Sequence, residues 1–323
     1  MPMLEVKNIS KQFKVASGDL YAVDNVSFTI EKGETLGIVG ESGCGKSTLG
    51  RVLLRLHEPS SGRIWFNDMD ITSFSRQEMR QLRRHMQIIF QDPYASLNPR
   101  LSIAQIIGEP LQVYRVCKNS AERREKVLRL MDMVGLSERS YNAYPHEFDG
   151  GRRQRVVIAR ALALNPDFVV CDEPVSALDV SVQAQILNLM MDLQKELNLT
   201  YMFISHDLSV VKHISNHVGV MYLGRLVERA PKNEIFQNPA HPYTKALLQA
   251  IPSMTISGSS GAPEQKIILS GEISSPVNVK SGCRFAARCP FAVEACSGGD
   301  SELREISPGH FVACARYEDI GNA

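Results

Sequence analysis

The sequence lacks any uninterrupted apolar run of the roughly 18–20 residues that a helix needs to cross a lipid bilayer. It also lacks a strong charge of either sign, because 36 lysines and arginines stand against 35 aspartates and glutamates and leave a net charge of +1. This balance excludes a general attraction to nucleic acid or to an anionic membrane surface. Residues 1–6 have neither the basic start nor the apolar stretch of a secretory signal. We therefore expect the chain to stay in the cytosol, and any role at a membrane to come through a partner that spans it.

No internal repeat is present in the 323 residues, which leave room for one large domain and one small one. Apolar residues make up 44% and charged residues 22%, the composition of an ordinary globular protein. Cysteine is sparse except near the end of the chain, where four of the seven are found. In a reducing cytosol such a cluster favours a metal site over disulfides. The four are Cys283, Cys289, Cys296 and Cys314.

Segments typical of strands alternate with segments typical of helices, which predicts an α/β fold with a mainly parallel, doubly wound sheet. The pattern turns helical from the loop at Pro93 to about Pro145 and indicates a helical insertion in that core, with one apolar helix face in 121–134. After Phe236 a short helix is predicted at 241–248, a linker at 253–263, and then the cysteine-bearing tail. The strands are predicted at 4–9, 21–30, 35–39, 62–67, 85–91, 168–172, 200–205 and 218–222.

Residues 40–48 match G-x-x-x-x-G-K-[ST], the phosphate-binding loop, and they follow the strand pattern of Thr35–Val39. Glycines let backbone N–H groups curl round phosphate oxygens, and the N-terminus of the helix that follows adds about half a positive charge. Lys46 would reach the β- and γ-phosphates, and the Ser47 hydroxyl would bind Mg2+. The motif predicts a nucleoside triphosphate site formed by Gly40, Glu41, Ser42, Gly43, Cys44, Gly45, Lys46, Ser47 and Thr48.

Two carboxylates, Asp172 and Glu173, close a second apolar strand. Asp172 is placed to hold the Mg2+ shell, and Glu173 points elsewhere and could polarise an attacking water as general base. A structural cation site is the alternative for such a pair, although the upstream phosphate loop favours catalysis. His206 also follows a strand and could contact the γ-phosphate, whereas a lone histidine is more often structural. These residues predict phosphoryl chemistry.

In these residues the chain resembles, over essentially its whole length, the ATP-binding subunit of ABC transporters, specifically of the importers for dipeptides and oligopeptides. The narrower peptide-importer assignment rests on residues 91–100, on residues 241–244 and on the C-terminal cysteines. The ordered set that carries the resemblance comprises the phosphate loop as Walker A, Gln91 as Q-loop, a signature region at 148–155, the Walker B strand ending at 171–174, the switch His206, and the D-loop of Ser176, Ala177, Leu178 and Asp179.

The resemblance implies a P-loop NTPase with a RecA-like core of mainly parallel strands, N-terminal antiparallel strands and a helical subdomain at about 92–158. It implies a nucleotide-binding domain at 1–236 and a C-terminal extension at 237–323. Phe13 matches the aromatic that stacks on adenine in this family, and Gln91 matches the residue that joins the Mg2+ and water shell. The four C-terminal cysteines match the ligands of a [4Fe-4S] cluster, and Zn2+ or free thiols are the alternatives.

The same resemblance implies a larger complex in which two nucleotide-binding subunits sandwich two ATP molecules head to tail. Each ATP lies between the Walker motifs of one chain and the signature of the other. We expect a second homologous ATPase subunit as heterodimer partner, two membrane-spanning permease subunits that dock on the helical subdomain, indirectly a substrate-binding protein, and no nucleic acid. ATP hydrolysis would then be coupled to peptide translocation at the cytoplasmic face of a bacterial inner membrane.

Three other functions stay open at this point. Related importers carry nickel or another small solute. A soluble ABC ATPase of translation or DNA repair usually fuses two nucleotide domains or carries a long coiled coil, and this sequence shows neither. A regulatory nucleotide-binding module is motivated only by an altered signature motif.

The signature departs from the family's Ser-Gly-Gly-Gln, because this chain has Asp149, Gly150, Gly151 and Arg152. Aspartate caps a helix as well as serine does, so we expect the fold to tolerate the change. A carboxylate about 4 Å from a phosphate oxygen costs roughly 1 kcal/mol in water and about 4 kcal/mol at an effective dielectric of 20. Arg152 could offset this cost by pairing with Asp149 or by contacting phosphate itself.

Overall fold

The structure is a computed structural model that describes residues 2–250, 275–279, 281–298 and 302–321. Within these residues the strands are β1 (Leu4–Val15), β2 (Gly18–Ile30), β3 (Thr35–Val39), β4 (Ser61–Phe66), β5 (Met69–Asp70), β6 (Met86–Ile89), β7 (Phe168–Asp172), β8 (Thr200–Ile204), β9 (His217–Tyr222), β10 (Arg225–Pro231), β11 (Arg304–Ser307) and β12 (His310–Val312).

Helices separate most of these strands, as expected for an α/β fold. They are α1 (Lys46–Leu53), α2 (Arg76–Leu82), α3 (Pro93–Ser96), α4 (Ile103–Val113), α5 (Ser120–Met133), α6 (Gly150–Leu162), α7 (Val180–Leu197), α8 (Leu208–Ile214), α9 (Lys232–Gln237), α10 (Pro242–Gln249), α11 (Ala295–Gly298) and α12 (Tyr317–Gly321), with 3-10 turns at Glu138–Ser140, Pro145–Glu147 and Ala286–Arg288. Among the described residues, no helix combines the length and the apolar character needed to cross a bilayer.

The chain forms two compact units, each made of several segments. The first comprises Met1–Leu4, Thr29–Thr35 and Trp65–Ser205, and the second comprises Glu5–Phe28, Leu36–Ile64 and His206–Ala323.

In the first unit β6, β7 and β8 lie side by side and parallel, with Cys171 of β7 opposite Ile89 and Phe203. Every residue of β7 and β8 is buried. Continuous apolar strands of this kind are typical of a parallel sheet covered on both faces. The predicted parallel core is therefore confirmed in this unit.

The helices of the first unit begin at polar caps that their sequences specify. Ser102 forms a capping box with Gln105 at the start of α4, and Asn119 accepts the N–H of Glu122 at the start of α5. The predicted apolar face of α5 is confirmed, because Val127, Leu130 and Met131 are buried on one side of the helix.

In the second unit β3 pairs in parallel with β9, and antiparallel neighbours follow in the order β10, β12 and β11. The tail therefore adds two strands, β11 and β12, to the sheet of this unit. Sequence patterning missed both of them, and it missed β10. It also made β1 too short, because the strand continues past Ile9 to Val15. The linker predicted at 253–263 lies outside the described residues.

Candidate functional site

The phosphate loop of the second unit connects β3 to α1 through glycines in conformations that other residues resist. Gly40 and Gly45 have φ angles of 154° and 104°. A Cβ atom on Gly40 would lie 2.1 Å from the carbonyl oxygen of Met221, and one on Gly45 would lie 2.0 Å from that of Ala22. The loop shape thus requires glycine at both positions. The predicted strand, loop and helix are confirmed.

Lys46 begins α1 and is buried inside the loop. Its Nζ donates hydrogen bonds to the carbonyl oxygens of Gly40 and Glu41, at 2.8 and 2.9 Å. It also lies 3.8 Å from the Sγ of Cys44, whose pKa is raised by burial and lowered in part by the lysine charge. A neutral thiol beside the ammonium leaves the lysine charge available for an anion.

The remaining residues of the phosphate loop differ in exposure. Ser42 and Gly43 are exposed, and Ser47 and Thr48 are half-buried.

The carboxylate pair lies at the end of β7 in the first unit. Asp172 is the last residue of the strand and is buried. Glu173 follows with a φ of 49°, an unusual angle for a residue with a long side chain. Such a conformation is typical of functional positions.

Gln91 and Glu173 contact each other in the first unit although 82 positions separate them. The Nε2 of Gln91 donates a hydrogen bond to the Oε2 of Glu173 at 2.9 Å. Asp92, the next residue, caps α3 by accepting the N–H groups of Tyr94 and Ala95. The cap fixes the chain directly after Gln91. The first unit therefore brings two of the predicted catalytic residues together.

The two remaining predicted contacts to nucleotide lie in the second unit. Phe13 is a half-buried residue of β1. The rings of Phe13 and His57 meet edge to face, with their centroids 5.6 Å apart. The Nζ of Lys11 lies 4.9 Å from the centroid of the Phe13 ring. His206 is exposed and immediately precedes Asp207, which caps α8.

The signature motif forms the start of α6 in the first unit. Asp149 caps the helix by accepting the N–H of Arg152 at 2.8 Å, so aspartate takes the capping role expected of it. The Nε of Arg152 lies 3.6 Å from the Oδ2 of Asp149, and both side chains are mostly exposed. A Cβ atom on Gly150 or Gly151 would lie 3.0 Å from Leu178 or 2.6 Å from Val182. Gly151 thus lets α6 pack closely against Val182 of α7, whereas a Cβ on Gly150 would require only the end of the Leu178 side chain to shift.

The D-loop runs from the carboxylate pair to α7. The Oγ of Ser176 donates to the carbonyl oxygen of Glu173 at 3.1 Å, and the carbonyl oxygen of Leu178 accepts from the Nε2 of Gln183 at 2.9 Å. Ala177 lies between them, and Asp179 immediately precedes α7. The D-loop backbone is thereby attached to Glu173.

The four tail cysteines line one largely apolar cavity together with Phe285. Burial raises the pKa of the Cys289 and Cys314 thiols, and the neighbouring cysteines add to the rise. The donor set suits a cysteine-ligated group. In the described part of the chain, however, no three His, Cys, Asp or Glu side chains are arranged so that they could hold a metal ion. The predicted cluster is thus compatible with the residues but is not supported by their arrangement.

Sequence reasoning missed a set of contacts between the tail and the phosphate loop, all within the second unit. Arg288 forms a two-pronged ion pair with Glu41, and Tyr243 accepts the backbone N–H of Glu41. No local pattern could have found the ion pair, because its partners are 247 positions apart.

Comparisons with known proteins agree with this architecture. A family model described as ABC transporter matches residues 23–176, and one described as oligopeptide/dipeptide transporter, C-terminal region, matches residues 227–296. The oligopeptide transport ATP-binding protein AppF of Bacillus subtilis is 51% identical over 323 residues, covering 98% of this chain and 97% of that protein. A putative peptide import ATP-binding protein of Brucella ovis is 51% identical over 315 residues, with 98% of each chain covered.

A solved structure is similar in fold as well. The dimeric post-hydrolysis state of the ATP-binding cassette MJ0796, bound to ADP and Pi, matches with a TM-score of 0.66 at 31% identity, over 71% of this chain and 99% of that one. Since relatives half identical to this sequence cover nearly its full length, the chain belongs to the ATP-binding subunits of oligopeptide and dipeptide ABC transporters and is an ABC-type ATPase.

Proposed function

We propose that this chain hydrolyses ATP to power the import of dipeptides or oligopeptides through membrane-spanning partner subunits. The observation that supports this most directly is the contact of Gln91 with Glu173 at the end of β7, which holds a carboxylate where a general base is needed. The names of the relatives from Bacillus subtilis and Brucella ovis refer to peptide transport and import. They favour peptides over nickel, and a transporter over an ATPase of translation or DNA repair.

ATP binding is assigned to the phosphate loop and Phe13. The loop's backbone N–H groups and the positive end of α1 would hold the phosphates, with the Lys46 ammonium on the β- and γ-oxygens. Lys46 now donates to loop carbonyls, so binding requires it to exchange those acceptors for phosphate oxygens. Ser47, Gln91 and Asp172 would hold Mg2+, which neutralises charge on the phosphates when bound.

Hydrolysis is assigned to Glu173, which would accept the proton of the attacking water. Gln91 contacts the glutamate through its amide and would connect it to the γ-phosphate, and His206 would contact the γ-phosphate. This division of roles matches a phosphoryl transfer, in which positioning and electrostatics supply most of the acceleration.

The transport role requires membrane-spanning partner subunits. We propose a head-to-tail pair with a second homologous ATPase subunit, two permease subunits that receive the helical subdomain, and a substrate-binding protein that acts through them. The MJ0796 cassette was solved as a dimer with ADP and Pi, which supports the pairing. The complex would hold this chain peripherally at the cytoplasmic face of a bacterial inner membrane.

The four-cysteine cavity is proposed to hold a [4Fe-4S] cluster, with Zn2+ as the alternative. Its role would be structural, because the tail is too small for an extensive core of its own. Anaerobically purified protein should be brown and contain iron and sulfide near four each per chain. Colourless protein with stoichiometric zinc would refute the cluster.

The proposed function is tested by substitutions in the assembled complex. Glu173→Gln should preserve shape and ATP binding while hydrolysis falls at least about 100-fold, because the amide cannot accept a proton. Lys46→Ala should weaken ATP binding itself. Near-normal turnover in the Glu173→Gln complex would contradict the assignment. Copurification of two membrane proteins and a second ATPase would support the transporter, and copurification of ribosomes or DNA would contradict it.

A further inference from the structure

Glu41 is the second residue of the phosphate loop. Its side-chain carboxylate and its backbone N–H both contact C-terminal residues of the second unit. The guanidinium of Arg288 donates from Nη1 to Oε2 at 2.7 Å and from Nη2 to Oε1 at 3.0 Å. The backbone N–H of Glu41 donates to the Oη of Tyr243 at 3.0 Å. The carboxylate and the backbone of one loop residue are thereby held from outside the loop.

The Arg288 side of this contact is rigidly supported. Arg288 ends the 3-10 turn Ala286–Arg288, and its side chain is only 7% exposed, against 24% for that of Glu41. Phe285 and Tyr243 pack against Tyr222 with ring centroids 5.3 and 4.8 Å away. The Oη of Tyr222 lies 3.5 Å from Nη1 of Arg288. A two-pronged, largely buried pair of this kind fixes orientation as well as charge.

Glu41 also takes part in the internal structure of the loop. Its carbonyl oxygen accepts from the Nζ of Lys46 at 2.9 Å and from the N–H of Cys44 at 3.3 Å. Its carboxylate is a negative charge in a loop that must accept a triphosphate, and like charges at short range repel. Arg288 neutralises that carboxylate and holds it on one side.

We infer that Arg288 is a positioning residue for ATP: by holding and neutralising Glu41, it keeps the phosphate loop in a shape and charge state that accept a triphosphate. The inference rests on the proposed nucleotide site at the loop. It assigns to the C-terminal extension a part in this subunit's own ATP site.

The rival explanation is that Arg288 only attaches the tail to the rest of the second unit. Arg284, in the same segment, provides the matched control. It binds the carboxylate of Asp24 and the carbonyl oxygen of Leu223, and it is as deeply buried as Arg288. Removing its charge should loosen the same segment without exposing a carboxylate in the phosphate loop.

The experiment measures the dissociation constant of MgATP for the full-length chain by displacement of a fluorescent ATP analogue. Arg288→Gln should weaken binding about tenfold, the effect of roughly 1.4 kcal/mol, and Arg288→Lys should fall between it and wild type because lysine keeps the charge but loses the fork. Arg284→Gln should stay within about twofold. The double variant Glu41→Gln/Arg288→Gln should recover to within about threefold of wild type, because the carboxylate that Arg288 neutralises is gone.

Three results would overturn the inference: Arg288→Gln within twofold of wild type, an equal loss in Arg284→Gln, or a double variant no better than Arg288→Gln alone. Far-ultraviolet circular dichroism identifies a variant that does not fold, and in that case the Arg288→Lys value decides. Failure of the proposed function looks different, since wild type would then not bind MgATP or Lys46→Ala would bind it as well as wild type does.

Discussion

The Nε2 of Gln91 lies 2.9 Å from the Oε2 of Glu173 and donates a hydrogen bond to it. This amide restrains the direction of the Glu173 carboxylate, and the Glu173 backbone has a φ of 49°. The orientation of Glu173, the proposed general base, therefore depends on Gln91, which follows β6, whereas Glu173 follows β7.

Gln91→Ala should lower the ATP turnover of the assembled complex by roughly 10–100-fold, because misplacing a catalytic group by about 1 Å can cost that much. The affinity for ATP should change less than the turnover. Gln87→Ala is the matched control, since Gln87 lies in β6, the strand that leads to Gln91, and donates to the carbonyl oxygen of Arg83 instead. Steady-state kinetics decide: equal effects of the two substitutions would show that Gln91 does not orient Glu173.

Substituting alanine for each of two glycines of the phosphate loop should distinguish the effect of backbone strain from that of a steric clash. Gly43 has a φ of 77° and open space where a Cβ would be, so Gly43→Ala should cost only about 1–2 kcal/mol of loop strain. Gly45→Ala would place a Cβ 2.0 Å from the carbonyl oxygen of Ala22 and should abolish ATP binding. Calorimetric titration with MgATP measures the ATP affinity of both variants. Equal affinities in the two variants would mean that the loop does not keep this shape.

If the partner subunit keeps Ser-Gly-Gly-Gln, the altered signature of this chain predicts two unequal ATP sites in the complex. This chain's Asp149 would face the partner's ATP, so the Lys46/Glu173 site should carry most of the turnover. Asp149→Ser with Arg152→Gln should activate the other site and raise the rate up to about twofold, because it restores a neutral cap near the phosphate. If the restored signature changes neither the rate nor the ATP affinity, Arg152 already compensates for Asp149 and the sites are not unequal.

A buried carboxylate joins the tail to the rest of the second unit. Glu228 of β10 is fully buried and accepts the N–H groups of Ala240 and His241 at 2.7 and 2.9 Å. The Nε2 of His310 lies 2.7 Å from it. Glu228→Ala would leave these groups without their acceptor and should lower the free energy of unfolding by on the order of 3 kcal/mol.

Chemical denaturation measures this effect, and Glu305→Ala serves as control. Glu305 is exposed in β11 and accepts the N–H of Gly309, so its loss should cost under about 1 kcal/mol. Similar losses in the two variants would show that the Glu228 network adds nothing to stability.

The parts of the fold that sequence predicted well are those that depend on local pattern. The apolar run of β7 and the strand-loop-helix order around Lys46 are visible without tertiary information, and the observed elements agree. The helix that begins after Asp149 was equally predictable from the sequence, because its cap and its apolar face depend only on Asp149 and on residues within the helix itself.

The parts that sequence missed depend on distant partners. β10 contains Glu228, a charge that argues against a buried strand until His310 is known to lie beside it. The Glu41–Arg288 pair joins two charged residues that each resemble ordinary surface positions, 247 residues apart. Contacts of this kind depend on the tertiary fold and leave no periodic signal.

The central claim, that ATP hydrolysis by this chain powers peptide uptake, is tested most directly in proteoliposomes containing the chain, its partner ATPase and both permease subunits. The measurement is the accumulation of a radiolabelled oligopeptide with the substrate-binding protein present and MgATP at the nucleotide-binding face. Uptake should require ATP and fall at least about tenfold with Glu173→Gln in this chain. Peptide uptake that continues at the wild-type rate with Glu173→Gln or without ATP would contradict the account.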